Sequence, residues 1–283
     1  MSQYYYLVSG LPELSPDDHR VPVSMTELKE LLIENLSAAD LELIKLFFLK
    51  YDNQNLLAYL ASSESELNAL GNLSGVQLGE IIRENKELER PAVPAMPPYF
   101  VPFLQAYLAD KQVEQFPELS AEDQLASLYY DYACQCDNPF IANFFRFMLN
   151  VKNILIAHQC RISGYDLSQT IVGDNDIARL IRTSNAKDFG LSGELDYLDD
   201  VLQIAEEENL LEREMNLDEL IWNYLDENSF FHYFSVERVF TYLIKIDMLG
   251  RWENMRRQDG QTVFRRVIGG YKKAYRFADE FKV

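Results

Sequence analysis

Basic residues, cysteine, histidine, glycine and proline are all scarce in this 283-residue chain, and each shortage excludes something. Lys and Arg number 26 against 45 Asp and Glu, giving a net charge of −19. A surface of that sign repels nucleic acid and anionic lipid, so neither is expected as a partner. Three cysteines, an odd number without a secretory leader, argue against a disulfide framework. With 12 Gly and 10 Pro in the whole chain, a strand-and-turn architecture is disfavoured and an all-α fold is expected. No charged segment followed by an apolar one opens the sequence, and no membrane-spanning run is read within it. The expectation is a cytosolic protein, or one attached to a membrane only through partners, without direct membrane insertion. Phosphate loop, dinucleotide fingerprint, nucleophile elbow and His-Glu-x-x-His are all missing, so no catalytic residues, cofactor or enzymatic activity are expected.

What the chain has in quantity is apolar helix. Residues are 48% hydrophobic and 13% aromatic, which excludes disorder. The stretch from Ile141 to Gly164 is apolar around most of a helical circumference, with Asn143, Arg146, Asn150 and Asn153 spaced by three and four into one narrow polar stripe. The amides of Asn150 and Asn153 stand one turn apart, placed to bond neighbouring helices or carbonyls and fix register. The pattern occurs three times. Asp52 and Asn55 lie 98 residues before Asn150 and Asn153, and Asp247 and Gly250 lie 97 after them. Ile44/Ala142/Val239, Phe47/Phe145/Tyr242, Tyr51/Leu149/Ile246 and Leu57/Leu155/Trp252 keep apolar columns through the copies, the first three on one helix face.

Three related helical units follow from that spacing: 1–90, 103–190 and 191–283, with a proline-rich connector at 91–102. Pro91, Pro94, Pro97, Pro98 and Pro102 predict an extended, rigid linker; a signalling peptide of the PxxP kind is the alternative reading. The opening Tyr4–Pro12 reads as a short extended segment entering a turn. Ser24 or Thr26, and Ser37, are candidate helix caps, and residues 62–73 a loop or short helix. An acidic segment from Glu194 to Glu219 reads as an exposed helix with a leucine face, not a calcium loop, for it lacks the glycine and regular oxygen spacing.

Charge reverses at the end. Residues 251–283 carry +5, leaving −24 on the rest. Arg256, Arg257, Arg265, Arg266, Lys272 and Lys273 are therefore candidates for contact with a partner's acidic surface, or with the chain's own acids. Aromatics interleave with these bases, a pattern compatible with single-stranded nucleic acid, but the acidic remainder opposes that reading. Cys134, Cys136, His158 and Cys160 form the one constellation of soft ligands; the Cys-x-Cys spacing is not that of a zinc knuckle, and buried thiols are the simpler reading, so no metal site is expected.

Asn150-Val-Lys-Asn153-Ile154 and Asp52-Asn-Gln-Asn55-Leu56, with Arg161 following the former, carry a family resemblance. The chain resembles the central-stalk socket subunit of V-type and archaeal-type rotary ATPases, the C-subunit of prokaryotes and the d-subunit of eukaryotes. Its opening Tyr-Tyr-Leu-Val-Ser-Gly-Leu-Pro and its length look most like uncharacterised bacterial proteins encoded beside V-type ATPase genes. The resemblance implies three helical domains in a funnel that joins the rotor shaft subunits to the membrane rotor ring. The implied role is non-catalytic torque coupling during proton or sodium translocation. Asn150 where an acid is usual, and Gly250 where Asn is expected, depart from the pattern. The alternative function is a free-standing helical scaffold that binds another protein.

Overall fold

The computed structural model describes residues 3–18, 20–87 and 96–257, with side chains to residue 255. The described residues form an all-α protein with no strand. Its helices are α1 (Tyr5–Gly10), α2 (Met25–Asn35), α3 (Ala38–Ala61), α4 (Gly75–Lys86), α5 (Phe100–Leu108), α6 (Ala121–Ala133), α7 (Pro139–Ser163), α8 (Asp176–Thr183), α9 (Leu198–Glu206), α10 (Leu210–Ser229) and α11 (Val236–Arg257), with a 3-10 turn at Leu167–Gln169.

Local chemistry sets most boundaries. Ser37, Ser120, Asn138, Asn175 and Asn209 each accept a backbone N–H in the first turn of the helix they precede. Ser74 and Gln77 form a reciprocal capping box on α4. Gly164, with φ +73°, ends α7 by adopting the left-handed conformation, and Tyr165 N–H returns to the Cys160 carbonyl.

Three local expectations change. The tyrosine-rich opening is the helix α1, not an extended segment; Tyr4 N–H bonds Phe234 O at 2.6 Å and the Tyr5 ring lies 4.5 Å from that of Phe234, so tertiary contacts override the strand propensity of tyrosine. Pro102 lies inside α5 and does not extend the linker. It occupies the first turn, where a missing N–H removes no intrahelical bond. The acidic stretch is two helices, α9 and α10, separated at Glu207–Asn209, where Asn209 caps the second. The remaining linker expectation, at 91–95, lies outside the described residues.

The chain divides into two compact units. One comprises Leu36–Phe231. In it α3 packs on α4 and α6, α5 on α4 and α6, and α7 on α6, α8 and α9, while α9 meets α10. This unit includes both of the expected divisions: α5 packs on helices to either side of the proline segment near 91–102, and α7 packs on α9 across 190/191. By length and composition α7 could cross a membrane, yet 67% of its most apolar window is buried in the protein. Phe147 shows how: its ring stacks on Tyr224 of α10 at 3.9 Å and meets Tyr197 edge-on at 4.8 Å. The second unit joins Met1–Asn35 to His232–Val283, and in it α2 packs on α11.

Three of the four repeated columns share their environments, the exception being Tyr51, half-buried where Leu149 and Ile246 are buried. Ile44, Ala142 and Val239 are buried, as are Phe47, Phe145 and Tyr242, whereas Leu57, Leu155 and Trp252 are half-buried in every copy. Each copy thus presents the same face of its long helix to a core.

Candidate functional site

The Asp/Asn pairs on the long helices α3 and α7 are buried, and each pins the loop that follows its own helix. On α3, Asn55 closes a two-bond clamp on one residue: its Oδ1 accepts from Asn68 N–H at 2.7 Å and its Nδ2 donates to Asn68 O at 2.9 Å. One turn earlier, Asp52 accepts from Leu73 N–H at 2.9 Å and from the Asn72 side-chain amide at 2.7 Å. On α7, Asn153 repeats the clamp on Val172, with Nδ2 donating to the carbonyl at 2.7 Å and Oδ1 accepting the N–H at 3.0 Å. Asn150 accepts from Asn175 Nδ2 at 2.9 Å and donates to the Tyr197 hydroxyl at 3.1 Å. The chemistry accounts for the difference between copies. Both of these Asp52 partners donate N–H, which suits a carboxylate, whereas Asn150 meets a donor and an acceptor and uses both ends of its amide.

The loops are shaped to be held. A Cβ on Gly71 would come within 2.6 Å of Asn55 Nδ2 and 2.9 Å of Asp52 Oδ1, so only glycine lets the backbone approach this pair. In the second loop Gly173 has φ +75°, and its N–H is taken by the buried Ser127 hydroxyl of α6 at 2.9 Å. Arg182 of α8 donates to the carbonyls of Ile171 and Gly173 and faces Asp174, which also pairs with Arg179 at 2.7 Å. These arginines hold the Asp174 carboxyl below its usual range, the hydrogen bond from Arg179 first. Arg161, two turns beyond the Asn153 clamp on α7, anchors the next loop. Its guanidinium donates to the carbonyls of Ser184, Ala186 and Lys187 and lies 3.7 Å over the centre of the buried Phe189 ring. Phe189 itself adopts φ +59°. Burial of its ring and the arginine above it oppose the cost of that backbone.

A family model described as a protein of unknown function, DUF2764, matches residues 1–274. The chain belongs to the DUF2764 family. No curated protein and no solved structure matches it.

In this DUF2764 chain the polar stripe of α7 has two parts. Asn150 and Asn153 are buried in the clamps, whereas Asn143 and Arg146 are exposed and bond each other at 2.5 Å. Asp247 and Gly250 lie on α11, half-buried, and no loop follows them within the described residues. Arg265, Arg266, Lys272 and Lys273 lie outside the described residues, as do the side chains of Arg256 and Arg257. Sequence reasoning missed the loop partners Asn68, Gly71, Asn72, Val172, Asn175 and Tyr197. The signals available were Gly-Asn and Gly-Asp-Asn turns placed just before a capped helix, at 71–74 and 173–175.

The polar atoms of these clamps are engaged with backbone and with each other, and an open cleft beside the first loop is bordered by the same Asn68, Asn72, Ser74 and Gln77. Among the described residues, no group of three or more His, Cys, Asp or Glu could hold a metal ion. Burial pushes the Cys134 thiol up to about 11 and raises those of Cys136 and Cys160, which favours the protonated thiols at neutral pH. Cys160 instead contacts the Thr170 hydroxyl at 3.4 Å.

Removing a clamp should be costly. Asn153→Leu orphans the buried N–H and C=O of Val172, each costing about 1–3 kcal/mol, and Gly71→Ala overpacks the first clamp at a cost of about 1–3 kcal/mol; chemical denaturation of both variants, with exposed Asn143→Leu as the near-neutral control, measures this. A pH dependence is also expected from Asp131 on α6, whose carboxyl is raised to about 6 by burial and then by the Asp174 charge. The native state therefore holds a proton that the unfolded chain, at an ordinary 3.8, releases. Stability from this group falls as pH rises from about 4 to about 6 and is constant above. Asp131→Asn raises the melting temperature at pH 7 and leaves it unchanged at pH 3.5, by a modest amount because the group is part-exposed.

Proposed function

We propose that this protein is a non-catalytic adaptor of a V-type or archaeal-type rotary ATPase, coupling the central shaft to the membrane rotor ring from the cytoplasmic side. The observation that supports the reading best is the recurrence, 98 residues apart, of an acid or amide, two residues and then Asn on two long helices, each pair tying down the loop after its own helix. That motif is the one by which the sequence resembles the central-stalk socket family.

The physical demands of the role agree with what these residues do. An element that transmits torque must not yield at its loops, and side chains that bond the loop backbone from within a packed helix convert loops into rigid extensions of the core. An acidic protein is suited to basic faces on a shaft, and charge complementarity fixes orientation more than affinity.

Affinity capture of the tagged full-length protein from native membranes in mild detergent, followed by mass spectrometry, tests the proposal. Recovery of shaft and rotor-ring subunits in fixed proportion, with loss of ring attachment when the gene is deleted, is the expected result. A preparation free of every rotary ATPase subunit would overturn it.

A further inference from the structure

We propose that α11 carries a third loop-holding site whose ligand is the chain's own amino-terminal segment, residues 20–35, so that the third repeat is completed from the opposite end of the sequence. In the first two copies the arrangement is a long helix, a pinned loop, then a capped shorter helix packed on the long one: α3, 68–73 and α4, then α7, 172–175 and α8. The equivalent of Asn55 and Asn153 on α11 is Gly250, which has no side chain to hold anything. One turn further on stands Glu253, buried, and its Oε2 accepts the N–H of Val21 at 2.9 Å.

Four details make Val21 and α2 the counterpart of the held loops and capped helices of the other copies. Val172 lies three residues before Asn175, the cap of α8, and Val21 lies three residues before Ser24, which opens α2. Ser24 and Glu27 bond each other reciprocally, with Ser24 N–H to Glu27 Oε2 at 2.9 Å and Glu27 N–H to Ser24 Oγ at 3.2 Å, the same box that Ser74 and Gln77 make on α4. The first buried residue in each of those two helices comes four positions after its serine, Leu28 in α2 and Leu78 in α4. Finally, α2 packs on α11 as α4 packs on α3 and α8 on α7.

Helix geometry explains how glutamate replaces asparagine here. Side chains on a helix lean toward its amino terminus, so a glutamate one turn after Gly250 reaches back over that position with one methylene more than asparagine has. A Cβ built on Gly250 would have Val21 Cγ1 as its neighbour, at 4.0 Å. Gly250 therefore leaves the place beside Val21 open, and Glu253 supplies the acceptor that Asn provides in the other copies. This pairing of the two ends accounts for the unit in which residues 1–35 group with 232–283.

Hydrogen exchange read by mass spectrometry on the full-length protein tests this assignment. Glu253→Ala is expected to speed exchange of peptides covering 20–35 by about tenfold, the loss of one side-chain hydrogen bond from a buried acceptor, while 171–183 is unchanged. Glu253→Gln, which keeps an acceptor oxygen, should stay close to wild type. Adding Gly250→Asn to Glu253→Ala should restore protection, since it rebuilds the arrangement of the other two copies. Unchanged exchange at 20–35 in Glu253→Ala would overturn the proposal. So would a rise of equal size across 38–61 and 139–163, or the absence of any rescue by Gly250→Asn.

Discussion

A carboxamide buried on a long helix and facing the N–H and C=O of a single loop residue is what the arrangement of this protein turns on. Asn55 and Asn153 each satisfy both the N–H and the C=O of one loop residue. Either bond alone contributes about 1 kcal/mol net, but the penalty for leaving a buried backbone group without a partner is larger, so the clamp is enforced by the cost of its absence. Because the loop is fixed, the cap that follows it is fixed, and with it the angle at which α4 or α8 returns to the core. Loop conformation in such a molecule is a property of the helix beneath it.

The same buried polar groups hold main chain in both copies. Asp52, Asn55, Asn150 and Asn153 are all buried, with their amides and carboxylate engaged with main chain, with neighbouring amides or with a tyrosine hydroxyl. Arg161 extends the same logic over a second loop, using three carbonyls and an aromatic ring in place of an amide. Loops held this way move with the helices beneath them.

Much of the architecture could be read from sequence because it is written in local chemistry. The caps Ser24 and Ser37, the long helices around Asn55 and Asn153, and the shared columns such as Ile44, Ala142 and Val239 all follow from spacing alone. What could not be read depends on partners distant in the chain. Nothing near Asn153 identifies Val172 as its ligand, and nothing near Tyr4–Tyr6 indicates that Phe234 turns a strand-like sequence into α1. Pro102 misled for a related reason: a proline marks either a linker or a helix start, and the packing of α5 on α4 and α6 decides which.

That helix-borne Asn and Asp side chains hold the loops is most directly tested by native-state amide exchange followed by NMR in the unmodified protein. The N–H groups of Asn68, Leu73 and Val172 should be protected to the same degree as amides within α3 and α7, although all three lie outside regular helix. Exchange at these positions at the rate of an open surface loop would contradict the clamp.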